Sequence, residues 1–260
     1  MMSSHMKVRV LGCSGGIGGA NLRTTSMLVD RDILIDAGTG VGDLSLAELA
    51  SVDHIFLTHS HLDHIASIPF LVDTVGDIRK APITIWALQA TIDALRQNIF
   101  NWVIWPDFSS IPSAESPSLV FRPVEVGQIV EIGSRRLTVL PACHVVPAVG
   151  YAISAGAGTF AYTGDTTAHA PLWDALNRIA DLRYLVIETA FSDNDAGLAE
   201  RSRHINPSML ARELAHLRAR PEVYITHLKP SQIDLIMHEV SLRAADFSPR
   251  MLRGNQVFTL

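Results

Sequence analysis

Thr58-His59-Ser60-His61-Leu62-Asp63-His64 places three imidazoles and a carboxylate within seven residues. The apolar run Ile55-Phe56-Leu57 directly before it reads as a buried strand. The cluster therefore stands where a strand ends and the chain turns outward. Borderline-soft nitrogen donors crowded beside a hard oxygen donor suit zinc or a similar transition ion. His59 and His61 can converge on one ion, while Asp63 and His64, past the turn, are free to face a second. The plain alternative is a polar loop of solvated histidines, and the density of donors argues against it.

The pattern His59-x-His61-x-Asp63-His64 resembles the signature of the metallo-β-lactamase superfamily. That resemblance implies an α/β fold: a four-layer αββα sandwich of two mixed sheets packed face to face, helices outside, with a two-metal site between the sheets. Leu62, Ile65 and Ser67 further resemble the class II cyclic-nucleotide phosphodiesterases, and the chain departs from that pattern at Pro69, Phe70 and Asp73. A second, distant likeness to the same family lies in Thr91-Ile92-Asp93-Ala94-Leu95 and Phe100-Asn101-Trp102-Val103-Ile104-Trp105-Pro106-Asp107-Phe108.

With 260 residues, 48% hydrophobic and 18% charged, the chain can bury a sizeable core. No apolar run is long enough to span a bilayer. A formal net charge of -5 gives no general attraction to nucleic acid or anionic membranes, so an anionic substrate needs local charge such as a metal. Cys13 and Cys143 fit poorly with a disulfide framework and read as buried thiols of a reducing compartment. A catalytic Cys143-His144 pair is disfavoured because adjacent strand residues point to opposite faces. Residues 1–6, ending in Ser3-Ser4-His5-Met6, read as a cloning remnant, which leaves 7–260 as a single hydrolase domain. The expected location is cytoplasmic, or periplasmic if a signal segment once preceded residue 1.

Gly12-Cys13-Ser14-Gly15-Gly16-Ile17-Gly18-Gly19 lacks the Lys-Ser/Thr ending of a P-loop and the dinucleotide spacing. It reads as a turning loop between strands, and the superfamily likeness places it at the rim of the metal site. A helix over Asp43–Ala50 is expected with Asp43 as its cap, and another over His64–Val75. Residues 109–118 read as a surface loop. The tryptophan-rich segment after Ile99 suits a core or dimer contact, with base stacking as the alternative.

The superfamily likeness implies further donors at later strand ends. His144, after Pro141-Ala142-Cys143, matches the third donor of the first ion. Asp165, in Thr163-Gly164-Asp165-Thr166, matches the aspartate that bridges both ions. His227, after Val223-Tyr224-Ile225-Thr226, matches the last donor and completes the second ion with Asp63 and His64. Asp36 and Glu188, each ending a strand, are placed to hold neighbouring histidines from behind. His204, after the acidic loop Phe191–Glu200, matches a histidine that related phosphodiesterases keep near the leaving group; a solvated helix-cap histidine is the bland alternative. Lys229 either faces a phosphate or lies in solvent.

The implied cofactors are two divalent ions, zinc foremost, with manganese or iron as alternatives. Such a pair lowers the pKa of a shared water and supplies hydroxide at neutral pH. The expected chemistry is in-line attack on a 3′,5′-cyclic nucleotide to give a 5′-monophosphate. Asp63 and His204 are the catalytic side chains, His204 serving as general acid toward the ribose oxygen. The alternative is an RNA 3′-processing endonuclease, which Gly164-Asp165-Thr166, Glu188 and His204 also resemble. Such an enzyme needs a basic surface, which this chain's negative balance does not provide. Lactone or thioester hydrolysis would use the same donors, whereas the full donor set that the likeness implies and His204 argue against a non-catalytic metal protein. The expected partner is a small cyclic nucleotide, with no membrane or nucleic acid, and the tryptophan segment is a candidate homodimer contact.

Overall fold

The computed structural model describes residues 5–19 and 21–260. In the first half, β1 (Lys7–Gly12), β2 (Ser26–Val29) and β3 (Ile33–Ala37) pair antiparallel. The chain then crosses through α1 (Leu46–Ser51) to β4 (His54–Phe56), and through α2 (Leu62–Ile65) and α3 (Ile68–Val75) to β5 (Ile83–Ala87). Next come α4 (Gln89–Asn98) and a small hairpin of β6 (Pro112–Ser113) and β7 (Ser116–Pro117), which lead into β8 (Leu119–Pro123). Because helical crossovers return the chain to its starting edge, β3, β4, β5 and β8 pair parallel.

The second half repeats this plan. β9 (Ile129–Ile132), β10 (Arg135–Pro141), β11 (Val149–Ser154) and β12 (Thr159–Tyr162) pair antiparallel. β13 (Leu182–Glu188), β14 (Glu222–Thr226) and β15 (Arg250–Met251) follow in parallel. They are linked by α5 (Ala170–Leu176), α6 (Ala196–Ser202), α7 (Pro207–Leu214) and α8 (Ile233–Arg243). The last strand, β16 (Val257–Thr259), returns to β1 and completes a first sheet of seven strands opposite a second of seven.

Strand side chains alternate between faces, and here both faces are apolar. Ile33, Ile35 and Phe56 point inward to meet Val139, Tyr151, Phe160 and Val186 of the opposite sheet. Leu34, Ile55 and Ile85 point outward and pack on Ile68, Leu71 and Val72 of α3. Leu185, Ile187 and Ile225 do the same against Trp173, Leu210 and Ile236 of α5, α7 and α8. Three apolar layers between four structural layers give the αββα sandwich expected from the metal-loop pattern. No helix among the described residues is long and apolar enough to cross a membrane.

Several local expectations are corrected. Ser45 caps α1, not Asp43: Ser45 and Glu48 form a reciprocal capping box, and Asp43 pairs with Arg23 instead. The helix expected over His64–Val75 is two helices. Ser67 turns away to bond Ala37 and Gly38, and Pro69, lacking an N–H, sits in the first turn of a new helix. The stretch expected as loop before His204 contains α6. Of the tryptophan segment, Phe100 and Phe108 are core, whereas Trp102, Val103 and Ile104 are exposed. Both cysteines are partly buried rather than fully so; burial pushes the Cys13 thiol up to about 12. Of residues 1–6, 1–4 lie outside the described residues, while Met6 is buried and its carbonyl accepts from Leu260 N.

At the end of the sandwich, Arg135 of β10 reaches the β2–β3 turn. It grips Asp32 with two bonds of 2.6 and 2.7 Å. These hydrogen bonds hold the Asp32 carboxyl below its ordinary range, against the opposing effect of burial. A depressed folded-state pKa gives stability that is present above the unfolded value of about 3.9 and lost as pH falls toward the folded one. Asp32→Asn is expected to cost about 1 kcal/mol at pH 7, a partly exposed pair being worth little more. In urea titrations the gap to wild type should close below about pH 4; a gap constant down to pH 3 would show that the charge is not responsible.

Candidate metal centre

The metal-loop stretch leaves β4 and is gripped at once. Thr58 N and Oγ1 donate to Asp36 at 2.8 and 2.9 Å, and His64 Nδ1 donates to the same carboxylate at 2.7 Å. With the Thr58 hydroxyl hydrogen committed to Asp36, its oxygen is left to accept from His59 Nδ1 at 3.0 Å. Both rings thereby keep a proton on Nδ1 and turn Nε2 into the cluster, where neutral His59 presents a lone pair. Asp36 holds a left-handed backbone, φ 54°, at the end of β3, an uncommon conformation for a non-glycine residue. Complete burial pushes its carboxyl up, while the His64 ring and Thr58 pull against that.

The lone pairs converge. His59, His61, His144 and Asp165 each offer a donor atom, all within 4.8 Å of one another, and Asp63, His64 and His227 form a second such group. Asp165 Oδ2 stands between the two groups, 3.4 Å from both His64 Nε2 and His227 Nε2 and 3.8 Å from His59 Nε2. Gly164 delivers it: φ is +65°, and a Cβ there would sit 2.6 Å from the Val149 carbonyl. His144 Nδ1 donates to Arg203 O at 3.1 Å, which turns its Nε2 toward His61 Nδ1 at 3.2 Å. His61 and Asp63 are partly exposed while the other five are buried, so the cluster opens to solvent on their side.

These residues fit a cation. His59 Nε2, His64 Nε2 and Asp165 Oδ1 are buried with no hydrogen-bond partner, and each such group left unpaired costs about 1–3 kcal/mol. Burial keeps His59 neutral and lowers His61, His144 (to about 4) and His227 (to about 3), the deprotonated form a metal ligand requires. At His64 the Asp165 and Asp36 carboxylates outweigh burial and raise the ring well above its ordinary range, so it must give up a proton to a cation. Burial opposes charge on Asp165 too, yet the charge and hydrogen bond of the His64 ring hold it well below the carboxylate range. Imidazole and carboxylate together suit zinc, and also manganese or iron.

His204 lies against this cluster, stacked on His227 with centroids 5.2 Å apart. Its Nδ1 donates to Glu188 at 2.7 Å. Glu188 is fully buried and also accepts from the N–H groups of Thr166, Ala190 and Ile205. Burial disfavours charge on His204, but the carboxylate outweighs it and raises the ring's pKa. The ring also lies within ligating distance of Asp165 and His227. Gly15 packs on the last proposed donor, where a Cβ would come 2.4 Å from the His227 carbonyl, so the glycine loop does sit at the rim.

A family profile described as a beta-lactamase superfamily domain matches residues 31–228, a span that holds every donor named above. The chain belongs to the metallo-β-lactamase superfamily. It is 28% identical over 284 aligned positions to a "Probable 3′,5′-cyclic-nucleotide phosphodiesterase" of Yersinia pestis, covering 89% of this chain and 80% of that one. A ribonuclease Z of Clostridium beijerinckii is 31% identical over 154 positions, 55% of this chain and 47% of the other. The crystal structure of unliganded yeast PDE1 superposes with a TM-score of 0.81 at 17% identity, covering 98% and 99% of the two chains, which is a likeness of fold.

The structure brings together the seven side chains expected as donors, with Asp36 and Glu188 behind two of the histidines. Lys229 is tethered rather than free in solvent: its Nζ donates to Gly15 O at 2.9 Å, and its charge reaches His204. Sequence reasoning assigned no role to Thr58 or Arg203. Arg203 ends α6 with φ 53°, accepts from His144 Nδ1 through its carbonyl, and returns a 2.8 Å bond from Nη1 to His144 O. A left-handed helix end usually carries Gly or Asn, so arginine there is a signal only once the helix is known.

Zinc at a hundredfold over its dissociation constant should raise stability by about 2.7 kcal/mol, read as a higher melting temperature that a chelator reverses. Asp36→Asn, which weakens the hold on His64, is expected to lower zinc affinity about 10–100-fold in chelator competition. Unchanged affinity would remove Asp36 from the support of the site.

Proposed function

We propose that residues 7–260 act as one hydrolase domain that opens 3′,5′-cyclic nucleotides to 5′-monophosphates. Two divalent cations, zinc foremost, would be held by His59, His61 and His144 on one side and Asp63, His64 and His227 on the other, with Asp165 between. When bound, such ions lower the pKa of a shared water and offset the charge of a phosphodiester. One observation carries the reading: a buried histidine with a raised pKa, His204, leans on the donor cluster and is held by a carboxylate. Glu188 fixes the Nδ1 proton, so the proton available for transfer sits on Nε2. His204 is therefore a general acid for the departing ribose oxygen, the difficult leaving group of a cyclic nucleotide.

The choice of substrate follows the Yersinia pestis relative, whose likeness spans most of both chains. RNA 3′ processing is the second reading, favoured by the ribonuclease Z relatives. The net charge of -5 supplies no general attraction for RNA phosphates. The exposed Trp102-Val103-Ile104 tip supports a homodimer contact, and two unpaired cysteines accord with a cytoplasmic setting.

Metal-stripped protein should be inert toward cyclic AMP and zinc should restore turnover; activity on a model diester with none on cyclic AMP would discard the substrate. His204→Ala should slow cyclic AMP hydrolysis about 10²–10⁴-fold and slow a diester with a p-nitrophenolate leaving group far less. Equal losses on both would remove His204 from the acid role.

A further inference from the structure

Phe191 touches His204. Its ring meets the imidazole edge to face, with centroids 5.6 Å apart and 64° between planes. The backbone beneath it is pinned on both sides. Ala190 N donates to Ile205 O at 3.1 Å and Ser192 N to Gln232 Oε1 at 3.1 Å, and both neighbours are fully buried. Phe191 itself is left partly exposed. Lys229 steadies the ring from another side: its Nζ lies 5.7 Å from the ring centroid while tethered to Gly15 O. Exposed apolar side chains recur next to other cluster residues. Leu62 follows His61, Val145 follows His144, and Ile17 stands on the tethered glycine loop. The cluster is thus flanked along the chain by apolar side chains, and Phe191 is the planar one in contact with the proposed acid.

Resting on the reading of this chain as a nucleotide phosphodiesterase, we propose that Phe191 is a specificity-determining contact that packs against the planar base while the phosphate faces the histidine cluster. The leaving oxygen of a 3′,5′-cyclic nucleotide belongs to the same ribose that carries the base. A group in contact with the imidazole that protonates this oxygen therefore lies one sugar ring from the base. Aromatic faces hold bases without hydrogen-bond selection, so purine and pyrimidine nucleotides both bind and the larger purine surface binds more tightly.

The test uses zinc-loaded protein and calorimetry with two probes, adenosine 5′-monophosphate and ribose 5-phosphate, which differ by the base. Wild type should bind the adenine nucleotide about tenfold or more tightly than ribose 5-phosphate. Phe191→Ala should abolish that gap with bound zinc and ribose 5-phosphate affinity unchanged, and Phe191→Tyr should keep it. Phe191→Leu retains apolar bulk without a planar face and should narrow the gap severalfold even if the alanine variant folds poorly. No gap in wild type, a gap that survives in the alanine variant or stays at its wild-type size in the leucine variant, or equal weakening of both probes would overturn the proposal. Cyclic AMP turnover in the same preparations separates the two ideas. Turnover by wild type with the gap intact in the variants removes the platform and leaves the phosphodiesterase reading. A gap lost in the variants without wild-type turnover keeps the platform and removes the reaction.

Discussion

Two consecutive backbone carbonyls join the two sheets at the mouth. Val149 N, at the start of β11, donates to Thr58 O, and the Tyr151 hydroxyl of the same strand donates to Leu57 O. Thr58 meanwhile gives its N–H and hydroxyl to Asp36 of β3. The metal loop is therefore clamped between a strand of each sheet before its first histidine. A matching clamp lies across the cluster, where Cys13 O accepts from His227 N and Thr226 Oγ1, and Gly15 N donates to Leu228 O. Every member of the first clamp is buried, so losing one partner strands another without solvent. That cost lets seven polar side chains be held at a distance where, unclamped, they would turn to water.

Strand direction explains how distant residues reach one edge. β3 and β4 run parallel, which puts Asp36 and the metal loop at the same end of the first sheet. β10 and β12 are each antiparallel to β11, and two reversals restore direction, so His144 and Asp165 leave the second sheet together. β13 and β14 run parallel to β12 and bring Glu188 and His227 to that end as well. Carboxyl ends of neighbouring strands are where such sheets commonly gather ligands. Here two sheets face those ends toward each other.

Much of this was legible in the sequence because it depends on local chemistry repeated at strand ends. The apolar triplet before the histidine loop, the Gly164-Asp165 turn and the Thr226-His227 strand end each announce their geometry in a few residues. The expected αββα layering followed from the same likeness, and the three apolar layers show it. What stayed illegible depends on distant contacts. Ser45 outcompetes Asp43 as a cap only because Glu48 answers it and Arg23 draws Asp43 away. Lys229 is tethered by the Gly15 carbonyl, a partner over two hundred residues earlier in the chain. The tryptophan segment split because Asn101 accepts from Val103 N and Ile104 N in a local turn, which holds the tip outward while Phe100 and Phe108 anchor its ends.

Burial disfavours charge on each of these rings, and what compensates for it separates their roles. His144 and His227 lose their protons because little compensates for desolvation, and neutral rings can donate lone pairs. His204, stacked beside them, sits directly on the Glu188 carboxylate, which outweighs desolvation and favours the proton. Arg203 couples the two kinds of ring. Its backbone precedes His204, and its carbonyl and guanidinium grip both ends of His144. A shift of the segment that carries the proposed acid must therefore move a proposed donor with it. The left-handed conformation at Arg203 is a cost sustained only where surrounding bonds over-determine it, and these reciprocal bonds are what do so.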